Sequence, residues 1–133
     1  MTHAIDVAYW FLASIDREAG DSITHLKLQK LVYYAQAWAL ARLDKPLFEE
    51  DLEAWTHGPI VPSLFEQFKE AGWEALPYPD DVPTFDSEVE TLLEEILDSY
   101  GQLSARYLEN LTHNEAPWQV ARGNLPAEIR ATT

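Results

Sequence analysis

Apolar positions recur in short blocks whose spacing switches from helical to irregular and back. Ala8, Phe11, Leu12 and Ile15 fall at i, i+3, i+4 and i+7, one face of a helix, and predict a helix over about residues 3–18. Gly20 and Asp21 end it. Thr24 suits the N-cap of a second helix, in which Leu28, Leu31, Val32, Ala35 and Ala39 form an apolar stripe running to about Leu43. Asp44-Lys45-Pro46 breaks that pattern, and the apolar pair Leu47-Phe48 is expected to anchor the following turn in the core.

The stretch Ala54-Trp55-Thr56-His57-Gly58-Pro59-Ile60-Val61-Pro62 has neither helical spacing nor the length of an ordinary strand. Leu52, Ala54 and Thr56 alternate with Glu53 and Trp55, which permits one short β element near residues 52–61. Pro59 and Pro62 fix φ and remove two backbone donors, so the segment loses little entropy on ordering. Ile60 and Val61 then face either the core or a partner. Ser63 with Glu66 reads as a capping box for a helix that Gly72 closes.

Pro77, Pro79 and Pro83 mark residues 73–85 as a loop. Ser87 with Glu90 is a second capping box, followed by the cleanest stripe in the chain: Val89, Leu92, Leu93, Ile96, Leu97 and Tyr100, ended by Gly101. Leu103 to Leu111 reads as another helix with Leu103, Tyr107, Leu108 and Leu111 inward, and Pro117 opens a short last helix through Arg122. The tail beyond Leu125 is expected to fray. The pattern predicts a mainly α fold: one compact domain over residues 1–133, about six helices around one core, with one short β element.

Composition narrows the function. The chain has 133 residues and no cysteine, which excludes disulfides, thiolate metal sites and a cysteine nucleophile and is compatible with the cytoplasm. No apolar run is long enough to span a membrane, and none resembles a secretory leader. The net charge of -14 is concentrated in residues 44–98, where sixteen acids face two bases, Lys45 and Lys69. Such a surface repels nucleic acid and anionic lipid. It either steers a basic protein partner or serves as a solvated, solubilising face.

Candidate chemistry is sparse. There is no phosphate loop, nucleophile elbow or H-E-x-x-H motif, and no cofactor is expected. His57 and His113 would form an acid–base or metal pair only if they met in space, and two histidines with no local third ligand favour anchoring roles. His25 opens the second helix, where a neutral, hydrogen-bonded imidazole is expected. Tyr33 and Tyr34 are adjacent on a helix, about 100° apart. They occupy either an exposed interface or an unusually broad apolar face.

Three stretches carry a resemblance. They are Leu26-Lys27-Leu28-Gln29-Lys30-Leu31-Val32-Tyr33-Tyr34-Ala35-Gln36-Ala37-Trp38; then Pro46-Leu47-Phe48 with Glu53 to Pro62; then Tyr100 to Ala105 with Leu108, Leu111-Thr112-His113 and Ala116-Pro117-Trp118. Together they resemble the Panacea domain, the SocA-like antitoxin or GepA phage-associated family, over about residues 3–122. The resemblance implies a non-enzymatic antitoxin that neutralises a cognate toxin protein by direct binding. It places Lys30, Tyr33, Tyr34, Gln36, Trp55, His57, Gly58 and Pro59 at the partner-binding surface or its immediate support. The alternatives are an adaptor that delivers the toxin to a protease, and a small enzyme using His57 and His113.

Overall fold

The computed structural model describes residues 3–14, 24–55, 58–68, 82–101, 107–108, 111 and 131–132. Its elements are α1 (Ala4–Ser14), α2 (His25–Arg42), β1 (Glu53–Trp55), β2 (Gly58–Ile60), α3 (Pro62–Phe68), α4 (Ser87–Tyr100) and β3 (Ala131–Thr132). Residues 107, 108 and 111 are also helical. The fold is mainly α, as the spacing of apolar residues predicts. Among the described residues four helices are delimited, fewer than the six expected. The predicted helix at 117–122 lies outside the described residues.

The organising feature is α2. Residues 28–36 are buried without interruption, so through two and a half turns this helix has no solvent face. Helices α1, α3 and α4 and strand β2 pack around it. The single stripe read from the sequence is therefore too narrow: Leu28, Leu31, Val32, Ala35 and Ala39 are buried, but so are Tyr33 and Tyr34. A helix enclosed on all sides buries whatever its sequence places there. Phe11 and Leu12 from α1, Leu64 from α3, and Val89, Leu92, Leu93 and Ile96 from α4 complete the core. Each such side chain contributes about 1.5–3 kcal/mol through burial.

Helix ends follow local chemistry. Thr24 Oγ1 accepts the Lys27 N–H at 3.4 Å. At the other end of α2 the Leu43 N–H bonds the Ala39 carbonyl at 2.8 Å, and Asp44 then turns the chain with φ at 57°, in the left-handed conformation. The first turn of α1 is capped from a distance: the Ala4 N–H lies 3.0 and 3.2 Å from the two Glu50 carboxylate oxygens. A carboxylate there also meets the positive end of the helix dipole.

Two helix starts lie earlier than expected, α4 by one residue and α3 by two. Asp86, not Ser87, caps α4, with Oδ1 accepting the Val89 N–H at 3.0 Å. Glu90 reaches back to the Phe85 N–H at 3.4 Å, so the reciprocal box is shifted rather than absent. Helix α3 begins at Pro62, where a missing N–H costs nothing, and the Val61 carbonyl accepts the first helical bonds from Leu64 and Phe65.

The single β element expected near residues 52–61 is a hairpin with a third strand beside it. Strands β1 and β2 pair antiparallel, with Glu53 opposite Ile60, Ala54 opposite Pro59 and Trp55 opposite Gly58. Strand β3 pairs antiparallel on the other side of β1, giving the order β2-β1-β3. Residues 131–132 are thus paired, where fraying was expected of the tail. Tyr107, expected to point inward, is half exposed, whereas Leu108 is buried.

Candidate functional site

The hairpin is held against α2 by side-chain amides. Gln29 is buried, and its Oε1 accepts the Val61 N–H at 2.8 Å while its Nε2 donates to the Val61 carbonyl at 3.1 Å. Seven residues on, and so on the same face, Gln36 repeats the arrangement. Its Oε1 accepts the Leu47 N–H at 2.7 Å and its Nε2 donates to the Phe48 carbonyl at 2.9 Å. An amide carries both a donor and an acceptor, so each glutamine replaces a stretch of β ladder for backbone that has no strand neighbour there. Leu47 and Phe48, clamped in this way, are buried as the sequence predicts.

A third tether runs from α2 to the end of α4. Lys27 Nζ donates to the Gly101 carbonyl. Beside it Tyr34 stacks face to face on Tyr100, with ring centroids 4.1 Å apart and planes 5° from parallel. Trp38 meets the same tyrosine edge-on at 5.7 Å, Arg42 lies 4.4 Å above the Trp38 ring, and Arg42 pairs with Glu95 of α4. The edge-on contact of Trp38 suits the ring quadrupoles, and the guanidinium over indole adds a cation–π contact.

This placement changes how the expected site residues read. Lys30, Tyr33, Tyr34, Gln36 and Pro59 are all buried. They lie inside the protein rather than on an outer face. The adjacent tyrosines pack against each other at 5.0 Å and leave no exposed ring. Trp55 and Gly58 are brought opposite one another as the last described pair of the hairpin. His57 lies outside the described residues, as does His113. Ile60 and Val61 face the core. Gln29 was not singled out from the sequence. Its seven-residue separation from Gln36 along a stretch of apolar neighbours is the pattern that marks it.

His25 sits at the first position of α2, buried, with its ring 5.4 Å from that of Phe65. Burial, and then the charge of Lys30, hold its pKa below the ordinary imidazole value, so the ring is neutral at pH 7. Its Nδ1 has no hydrogen-bond partner among the described residues. Among the described residues, no three His, Asp or Glu side chains gather into a group able to hold a metal ion. No helix among them is long and apolar enough to cross a membrane.

Residues 28–119 match the family described as Antitoxin SocA-like, Panacea domain. The chain belongs to this family. The match takes in Gln29 and Gln36 of α2, the hairpin and the end of α4, and begins one residue after Lys27. A relative, Antitoxin SocA of Caulobacter vibrioides (strain NA1000 / CB15N), is 29% identical over 111 residues, covering 74% of this chain and 59% of the relative. The chain therefore spans about three-fifths of that relative's length. No solved structure matches. Within this Panacea domain, the first resembling stretch is the buried hub. From the second it grips Leu47, Phe48 and Val61, and from the third it meets Tyr100 and Gly101.

Proposed function

We propose that this Panacea domain is an antitoxin that neutralises a cognate toxin protein by direct binding, without catalysis. The family match over residues 28–119 carries this reading. The framework supports it physically: a short hairpin fixed by buried amide bonds has little entropy left to lose on binding. In this reading Trp55, His57 and Gly58 form the contact element, and Lys30, Tyr33, Tyr34, Gln36 and Pro59 support it from within. The toxin is basic, matched to the acids of residues 44–98.

The test is co-expression with the product of the neighbouring gene. A stable complex and rescued growth are expected, with the half-life of the toxin unchanged. Shortened toxin lifetime in place of a complex would identify a protease adaptor instead. A Trp55→Ala variant with unaltered folding is expected to lose about 2 kcal/mol or more of binding free energy if Trp55 is an anchor.

A further inference from the structure

We propose that the groove between the end of α2 and the start of α4 is a socket for an arginine side chain of the partner protein. The inference rests on the direct-binding reading above and adds a contact outside the hairpin.

The groove has a volume of about 320 Å³, at the small end of ligand-sized clefts, which suits one long side chain. Leu43 of α2 and Leu92 of α4 supply its apolar part. Ser87, Glu88 and Thr91 line it from α4, and the Arg42–Glu95 pair completes it. Leu40, three residues before Leu43 and so on the same side of α2, is exposed and offers a further apolar contact.

The two carboxylates of the groove are not equivalent. Glu95 has its counter-ion within the chain: Arg42 pairs with it and lies 4.4 Å above the Trp38 ring. Glu88 stands two turns earlier on the same face of α4, about 10 Å away along the axis. It is exposed and has no ion pair or hydrogen bond among the described residues. The hydroxyls of Ser87 and Thr91 have none there either. One guanidinium thus faces two carboxylates, and the groove keeps a net negative charge.

An incoming arginine would repeat the internal arrangement. Its guanidinium would meet Glu88, its methylene stem would lie over Leu43 and Leu92, and its remaining N–H groups would reach the two hydroxyls. Arginine suits this set better than lysine, because its planar fork of donors meets a carboxylate and hydroxyls together. Charge complementarity selects the same sign of partner: α4 carries Glu88, Glu90, Glu94, Glu95 and Asp98 and no lysine or arginine.

The test uses the full chain, isotope-labelled, with N-acetyl-arginine methylamide as probe and amide chemical shifts as readout. Shifts are expected at residues 87–95 and at Arg42 and Leu43. The uncharged citrulline analogue, of the same shape, is expected to cause none of them. Two substitutions at exposed positions that preserve side-chain size separate a socket from a general acidic field. Glu88→Gln is expected to weaken the probe about fivefold or more. Glu94→Gln removes the same charge from α4 outside the groove and is expected to change binding by less than about twofold. Equal losses in the two variants, equal shifts with citrulline, or no shift in this region each overturn the proposal.

The product of the neighbouring gene supplies the second readout. It is expected to bind Glu88→Gln about tenfold or more weakly than the unaltered chain, and Glu94→Gln as tightly. A product that binds Glu88→Gln and the unaltered chain equally overturns the proposal and leaves direct neutralisation intact. A product that binds neither removes the direct-binding reading itself, and this contact with it.

Discussion

Gln29 concentrates the most consequence in one side chain. It satisfies a buried N–H and a buried C=O of Val61, whose carbonyl also starts α3. Gln29→Ala is expected to destabilise the fold by about 1–3 kcal/mol, because the buried Val61 N–H loses its partner, while the Val61 carbonyl keeps its bonds from Leu64 and Phe65. Gln36→Ala acts similarly through Leu47 and Phe48. Chemical denaturation measures both, and a change below about 0.5 kcal/mol would show that water replaces the amides without cost. His25 gives a second residue-scale prediction. Its folded pKa lies below the ordinary value of 6.5, so the unfolded chain takes up a proton first. The stability that depends on its neutral form is complete above about pH 6.5 and declines as pH falls, by at most about 1.4 kcal/mol per pH unit. Unfolding curves between pH 7.5 and 5.5 should show this decline, and His25→Gln should flatten it. Sequence reasoning located the imidazole at the start of α2 and its neutral state. It did not locate its environment, because Phe65 is forty residues away and reaches it only through the packing of α3.

At the scale of elements, what the sequence made legible was periodicity, and what it hid was enclosure. The stripe of α4 and the ends of α2 follow from spacing and caps within a few residues. That α2 would be surrounded does not, because burial on every side depends on elements far apart in the chain. The adjacent tyrosines pointed that way, since a pair 100° apart fits an enclosed helix as well as an exposed patch. The hairpin was half legible: alternation marked β1, but the glycine and proline of β2 hide a strand whose edge is completed by a glutamine rather than by a neighbour. The junction of α4 offers a direct test of the enclosed packing. A β-carbon on Gly101 would collide with the Leu97 carbonyl oxygen and lie 2.9 Å from Leu97 Cδ1. The same residue receives Lys27. Gly101→Ala is therefore expected to cost about 1–3 kcal/mol, typical of overpacking, although helix propensity alone would favour alanine. A thermal melt unchanged by this substitution would show that the junction relaxes freely.

Across the whole molecule, charge and fold serve different ends. The core is assembled around one helix with a few buried polar bonds, while the surplus of acids falls in residues 44–98, the same half of the chain as the hairpin. Some of these acids are structural: Glu50 caps α1, Asp86 caps α4 and Glu95 holds Arg42. The excess beyond them sets a long-range field. Association with a basic partner should slow about tenfold or more between 50 and 500 mM salt, with a much smaller change in dissociation, as stopped-flow mixing would record. A rate independent of salt would reduce the acidic surface to a solubilising role. The central claim is neutralisation by direct binding, and the most direct measurement uses purified components alone. Titrating this protein into its neighbouring-gene toxin, with the toxic activity as readout and no protease present, should abolish that activity at a fixed stoichiometric ratio. Undiminished activity at saturating protein would contradict the account.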